Sequence, residues 1–218
     1  MIDNIFLLNH RDLKDRLLNI STKLNKQNIK YELIQNFHPS EINILDYKCD
    51  TSDFNDVVIK TTNGSYRNFF KRITMSELSL FLKHKLCFKI QLEKKYNYIL
   101  ILEDDADIPD DFENYLTIHM DEFEKCGGDV LVLGECCFLK SEHDSNSLIG
   151  TSEYYKTRCT HAIIYSLKST EKILGHLQKY NLPIDFKLNE IFQIENLKIF
   201  WTNNSILQNK SYKSEIIK

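Results

Sequence analysis

A run of four apolar residues followed directly by a cluster of carboxylates constrains this chain more than any other segment. Residues 99–102 read Ile-Leu-Ile-Leu, and Glu103, Asp104, Asp105 and Asp107 come next. A short, continuous apolar run is typical of a strand that is buried on both faces of a sheet. In open α/β sheets the ligand crevice lies at the carboxyl ends of such strands. The segment therefore predicts a buried strand that delivers acidic side chains to a binding crevice.

The acidic cluster predicts a site for a divalent cation. Neighbouring negative charges repel one another unless a cation or hydrogen-bond donors compensate them. Ligand sets made only of oxygen favour hard ions such as Mg²⁺ or Mn²⁺. We expect Asp105 to be the first metal ligand, and Asp107, which completes an Asp-x-Asp, to be a reserve ligand. The alternative is that only one or two of the four carboxylates face the crevice and the others are solvated turn residues.

The composition indicates one globular domain over residues 1–218, with no nucleic-acid surface. The chain carries 31 acidic and 28 basic side chains, a net charge of −3, and no basic block stands out. No apolar run approaches the roughly 18 residues that a membrane-spanning helix needs. The first residues lack the basic region of a signal peptide, which favours a cytoplasmic location. The six cysteines show neither a Cys-x-x-Cys pair nor finger spacing, so we expect free thiols.

Hydrophobic periodicity predicts strands that alternate with helices. Helix signals include Asp12 as a cap, a capping box at 74–77 and a helix end at Gly127. Strands are predicted at residues 4–8, 31–37, 98–102, 129–133, 160–166 and 197–201. This alternation is typical of an α/β fold with a mostly parallel central sheet that is flanked by helices.

Five segments in the same order resemble the motifs of glycosyltransferase family 25. These are Asn-His-Arg-Asp-Leu-Lys-Asp-Arg at 9–16, the Thr-Met-Ser-Glu helix within 73–84, Leu-Glu-Asp-Asp-Ala at 102–106, the strand at 160–166, and Pro-Ile-Asp at 183–185. The resemblance implies a single GT-A-like, Rossmann-related domain. It also implies an inverting transfer of a hexose, galactose or glucose, from a UDP-sugar to a hydroxyl of a glycan or a hydroxylated protein.

The resemblance and the residue chemistry together suggest a donor-binding set. Arginine suits phosphate because its planar fork binds two oxygens at once. The expected donor-binding residues are Asn9, Arg11, Arg16, Glu77, His84, Glu103 and Asp104. Alternatives stay open for three of them: an ion pair with Asp12 for Arg16, helix capping for Glu77, and a core position for His84. The helix also departs from the family at four positions, where Ser76, Ser79, Leu80 and Lys83 replace Gly, Gly, Cys and Ser.

An inverting transfer requires a base that takes the proton of the acceptor hydroxyl. We expect Asp185 to be this base, and Glu190 is the second candidate; the alternative for Asp185 is N-capping of the helix after Pro183. A chain that keeps this fold without catalysis, as a glycan-binding or scaffold protein, is the competing functional interpretation.

Overall fold

The computed structural model describes residues 1–47, 58–60, 66–68, 73–134, 148–150, 159–209 and 211–212. Two 3₁₀ helices, Pro39–Glu41 and Ile44–Asp46, follow the second strand. The strands are β1 (Asn4–Leu8), β2 (Glu32–Ile34), β3 (Val58–Lys60), β4 (Tyr66–Asn68), β5 (Tyr98–Glu103), β6 (Ala106–Asp107), β7 (Val130–Gly134), β8 (Ile149–Gly150), β9 (Ala162–Ser166) and β10 (Ile199–Gln208). The helices are α1 (Lys14–Lys26), α2 (Met75–Lys94), α3 (Phe112–Cys126), α4 (Leu167–His176) and α5 (Ile184–Ile194).

Eight of these strands form one sheet. Its order is β2-β1-β5-β9-β7-β10-β6, and β8 pairs with β10 outside this path. β1 runs parallel to both β2 and β5, and β7 runs parallel to β10, whereas β9 lies antiparallel between β5 and β7. The predicted α/β fold with mostly parallel central strands is therefore confirmed. β3 and β4 pair with each other in a separate antiparallel sheet.

Helices cover both faces of the sheet. Successive residues of a strand point to opposite faces, so Phe6 and Ile101 pack in one cluster with residues of α2, α4 and α5. Leu7 and Leu102 pack in the other cluster with residues of α1 and α3. All four side chains are fully buried, and each contributes about 1.5–3 kcal/mol to folding by the usual measure of apolar burial. The continuous apolar run of β5 is thus explained by a core on each side.

Two of the three predicted helix-end signals are present in the structure, and the third is not. The Thr74 hydroxyl accepts the Glu77 N–H and the Glu77 carboxylate accepts the Thr74 N–H, so the capping box forms at the start of α2. α3 ends at Gly127, whose φ of 61° is left-handed, as predicted. Asp12 does not cap α1: Leu13 stands at that position, and no side chain caps the helix.

The structure also bears on the cysteines and on membrane-spanning helices. Cys87 and Cys126 are free thiols as expected, but Cys159 is disulfide-bonded, so the expectation of free thiols is wrong for that residue. Among the described residues, no helix has both the length and the apolarity that crossing a bilayer requires.

Candidate active site

A cleft opens where β1 and β5 end, at the edge of the sheet where the sequence predicted a crevice. α1 and α2 form its walls and the end of β10 closes it. Polar side chains from all of these elements line it: Asn9, Arg16, Lys83, Asp104, Asp105 and Gln208.

Asp104 joins the ends of β1 and β5 through a hydrogen-bond network. Its Oδ2 accepts a 2.7 Å bond from Asn9 Nδ2 and a 3.3 Å bond from the His10 N–H. Its Oδ1 lies 3.4 Å from Arg16 Nη1, and Gln35 Nε2 holds Asn9 Oδ1 at 2.6 Å. Burial raises the pKa of Asp104, although Asn9 and Arg16 oppose that shift. Asp104 and Asn9 thus connect the two strand ends at the cleft that both residues line.

Asp105 has one carboxylate oxygen that accepts no hydrogen bond from the described residues. Gln208 Nε2 lies 3.4 Å and Arg16 Nη1 lies 3.6 Å from its Oδ2. Its Oδ1 is buried and has no hydrogen-bond partner among the described residues. Burial, followed by the nearby charges of Glu103 and Asp104, raises the pKa of Asp105 to about 7. Because a buried polar atom without a partner is costly, a divalent cation at Oδ1 fits this residue.

The four carboxylates of the cluster do not converge. Strand alternation turns Glu103 toward α2, where its Oε1 lies 3.6 Å from His84 Nε2 and accepts the Thr160 hydroxyl. Asp107 is half exposed on β6 and pairs with Lys23. Within the described residues, the carboxylates of residues 103–107 do not form a group of three or more that would suit one ion. The structure brings Glu103, Asp104 and Asp105 to the cleft, but it does not bring Asp107 there.

The two predicted arginines differ in their placement. Arg16 is nearly buried beside Asp104 and Asp105, and its guanidinium lies 5.1 Å from the centre of the Tyr212 ring. Asp12 does not pair with Arg16 in the described contacts. Arg11 pairs instead with Glu41 at the protein surface and does not line the cleft. Of the two, Arg16 lines the cleft and Arg11 does not.

Lys83 is a cleft residue for which the sequence suggested no role. It is 4% exposed, and its Nζ donates a 3.0 Å bond to the Asn9 carbonyl. Burial lowers its pKa, opposed by Asp104 and Glu103. The signal in the sequence was helical spacing: Ser76, Ser79, Leu80 and Lys83 stand at i, i+3, i+4 and i+7, so they share the face of α2 that lines the cleft.

Glu77 and His84 occupy the buried side of α2. Glu77 Oε2 accepts two hydrogen bonds from Thr74, one from the N–H at 2.7 Å and one from the hydroxyl at 2.8 Å. Glu77 therefore caps the helix, which was the alternative to donor binding. His84 is fully buried, and neither ring nitrogen has a hydrogen-bond partner among the described residues. Burial raises the pKa of Glu103, but His84 and then Thr160 outweigh it, so the pKa of Glu103 is lowered.

The two candidate bases on α5 have different surroundings. Burial, with further contributions from the carboxylates of Glu103 and Glu77, raises the pKa of Asp185 to about 7. Its Oδ1 accepts the Phe186 N–H at 2.9 Å, and it does not cap α5, which has no side-chain cap. Glu190 is exposed and pairs with Lys187 at 2.6 Å. Asp185 therefore combines a raised pKa with partial burial but is not among the residues that line the cleft, and Glu190 is a surface residue.

Comparison with known proteins supports the resemblance in the sequence. The family model for glycosyltransferase family 25, described as LPS biosynthesis protein, matches residues 2–173. The match contains β1, α2, β5 and the cleft residues of these elements, whereas Asp185 and Gln208 lie beyond it. No curated protein matches the sequence. Since the matched segment covers well over half of the chain, the protein belongs to glycosyltransferase family 25.

Proposed function

We propose that this glycosyltransferase moves a hexose, galactose or glucose, from a UDP-sugar to a hydroxyl of a glycan or a hydroxylated protein, with inversion at the sugar. The observation that carries the proposal is the composition of the cleft. Two nearly buried cations, Arg16 and Lys83, lie in it beside the unpartnered Oδ1 of Asp105. Positively charged side chains in a cleft that is partly shielded from water stabilise the negative charge of a departing nucleoside diphosphate.

Arg16 and Lys83 are the residues of this chain that we assign to the diphosphate. Lys83 has lost much of its hydration and bonds to a backbone carbonyl, so an entering phosphate oxygen replaces a weak partner with a charged one. Arg16 is held by Asp104 and Asp105 and is thus oriented before the donor arrives. The pair stabilises the negative charge that grows on the leaving group.

Asp105 is the residue that we assign to a divalent ion, Mn²⁺ or Mg²⁺. When bound, the ion would act as a Lewis acid that neutralises charge on the diphosphate. Asp104 and Asn9 hold the backbone of this turn in place, and we assign no ligand role to Asp107, which pairs with Lys23.

Asp185 is the residue that we assign to proton removal. In the transfer, the acceptor oxygen forms a bond to the anomeric carbon, the bond from that carbon to the diphosphate breaks, and the acceptor proton passes to a carboxylate. A pKa near 7 suits that task because the group is a stronger base than an ordinary carboxylate and about half of it is ionised at neutral pH. Glu190 is less suitable because it is exposed and paired.

A glycan-binding or scaffold protein without catalysis is the second candidate. The specific observation in its favour is that all four departures from the family, Ser76, Ser79, Leu80 and Lys83, line the cleft itself.

Release of UDP from a panel of UDP-hexoses tests the proposal. We expect UDP release with Mn²⁺, and a loss of at least about 100-fold with a chelator or in Asp105→Ala, the scale typical of removing a charge-stabilising group. Asp110→Ala is the matched control, since Asp110 is an exposed carboxylate in the separate turn between β6 and α3. Binding of a glycan with no UDP release from any donor would favour the second candidate. An equal loss in Asp107→Ala would restore Asp107 as a ligand.

A further inference from the structure

Two histidines and an aspartate converge at the rim of the cleft, outside the residues assigned above. His10 follows β1, Asp12 precedes α1, and His38 precedes the first 3₁₀ helix. One ligand atom from each lies within 4.8 Å of the others. His38 Nε2 is 3.1 Å and His10 Nδ1 is 3.9 Å from Asp12 Oδ2, and the two imidazole rings are 4.6 Å apart.

These distances are close to those of a coordination shell. Ligand atoms about 2.0–2.1 Å from a tetrahedral Zn²⁺ stand about 3.3–3.4 Å from one another. The 3.1 Å separation already meets this value, and the 3.9 Å separation exceeds it by about 0.5 Å. The two imidazole nitrogens lie within 4.8 Å of each other and must also approach by a side-chain shift. Asp12 is largely exposed, so its carboxylate is accessible to an ion from solvent and free to adjust.

The contacts of the His38 ring with Ser40 direct its Nε2 toward Asp12. Its Nδ1 lies 2.7 Å from the Ser40 hydroxyl and accepts the Ser40 N–H at 3.4 Å, and its Nε2 lies 3.1 Å from Asp12 Oδ2. A metal ion at Nε2 requires the tautomer in which Nδ1 carries the proton and donates it to the Ser40 hydroxyl, in place of the bond from the Ser40 N–H. The exposed fraction of the His38 side chain is 14%, so the ring is held by its surroundings.

We propose that His10, Asp12 and His38 form a second metal site, selective for a borderline transition ion such as Zn²⁺. Two imidazoles and one carboxylate favour that class of ion, whereas the oxygen ligand at Asp105 favours Mg²⁺ or Mn²⁺. Three protein ligands leave a fourth position for water or another oxygen ligand. Because the His10 N–H contacts Asp104 and His10 lines the cleft, an ion here joins the β1–α1 turn to the 3₁₀ segment at the cleft rim. The site does not depend on the function proposed above.

Titration calorimetry of the full chain with Zn²⁺ alone tests the site, and the visible absorption of Co²⁺ reports its geometry. We expect one Zn²⁺ to bind, with an affinity lowered by at least about tenfold in Asp12→Asn and in His38→Ala, since even outer partners of a metal site contribute this much. Ser40→Ala should weaken binding less. Asp12→Asn changes a largely exposed side chain, so the fold is preserved even if His38→Ala perturbs it.

His176→Ala is the matched control, because His176 Nε2 lies 2.6 Å from a Glu195 carboxylate oxygen in a histidine–carboxylate pair away from the cluster. We expect its Zn²⁺ affinity to equal that of the unaltered chain. The proposal is overturned if the unaltered chain binds no Zn²⁺, or if Asp12→Asn and His38→Ala bind it as tightly as His176→Ala does. These titrations contain no UDP, so their result can be interpreted even if the chain does not bind a UDP-sugar.

Discussion

Replacing Asp185 by asparagine is expected to stabilise the protein at alkaline pH and to abolish transfer. Asparagine is nearly the same size, and its side-chain oxygen can still accept the Phe186 N–H. It cannot ionise and therefore avoids the burial and the neighbouring Glu103 and Glu77 charges that raise the pKa of Asp185. The same replacement removes the group that we assign to proton removal. Stability and activity should thus change in opposite directions.

The size of the stability effect follows from the pKa. A carboxyl whose pKa is higher in the folded protein than in the unfolded chain holds its proton more tightly when folded. Its contribution to the free energy of unfolding is therefore lost as the pH rises from the pKa of the unfolded chain through the pKa of the folded protein. Between its ordinary pKa of 3.8 and the folded value of about 7, the loss amounts to at most about 4 kcal/mol. The free energy of unfolding of the unaltered chain should fall by up to about this amount, relative to Asp185→Asn, between pH 4 and pH 8.

Urea unfolding of both chains at pH 4, 6 and 8 measures this difference, and UDP release with an acceptor measures turnover. We expect turnover in Asp185→Asn to fall by about 10²–10⁴, the usual contribution of a general base, with UDP binding kept. Glu190→Gln is the control, since an exposed pair with Lys187 contributes little to stability. Full turnover in Asp185→Asn would exclude it as the base, and a stability difference that does not change with pH would refute the electrostatic account.

Three further variants test other parts of the structure. Lys83→Met should raise the Kd of UDP in calorimetry by about 10–100-fold, the value of a charged hydrogen bond; an unchanged Kd would remove Lys83 from the diphosphate site. Thr74→Ala should lower the free energy of unfolding by about 1 kcal/mol, because it removes half of the capping box with Glu77; no change in urea unfolding would contradict this. Gly134→Ala should cost about 1–3 kcal/mol, since its new Cβ would meet His161 Nε2 at 2.3 Å; a thermal melt equal to that of the unaltered chain would show that His161 moves aside freely.

Local signals made much of the fold predictable. The apolar run before Glu103, the capping box at Thr74 and the helix end at Gly127 each depend on residues that are close in sequence, and each stands where it was predicted. The position of the cleft followed as well, since the ends of parallel strands meet at one edge of the sheet. The antiparallel direction of β9 was not predicted, because apolar strands that are buried on both faces look alike in either direction.

The separation of the acidic side chains depends on contacts between distant segments. Glu103 lies beside His84, Asp104 contacts Arg16, and Asp107 pairs with Lys23. Each partner is 19 or more positions away in the chain, so no local pattern shows which carboxylate remains available. The same applies to His10 and His38, which become neighbours only when β1 and β2 pair.

Calorimetric titration of UDP in the presence of Mn²⁺, on the unaltered chain and on Asp105→Ala, measures whether Asp105 and a divalent ion together hold the donor nucleotide. We expect that one UDP binds per chain, that a chelator weakens binding by about tenfold or more, and that Asp105→Ala binds UDP weakly whether or not Mn²⁺ is present. UDP that binds equally well with and without Mn²⁺ in both chains, or that does not bind at all, would contradict this expectation.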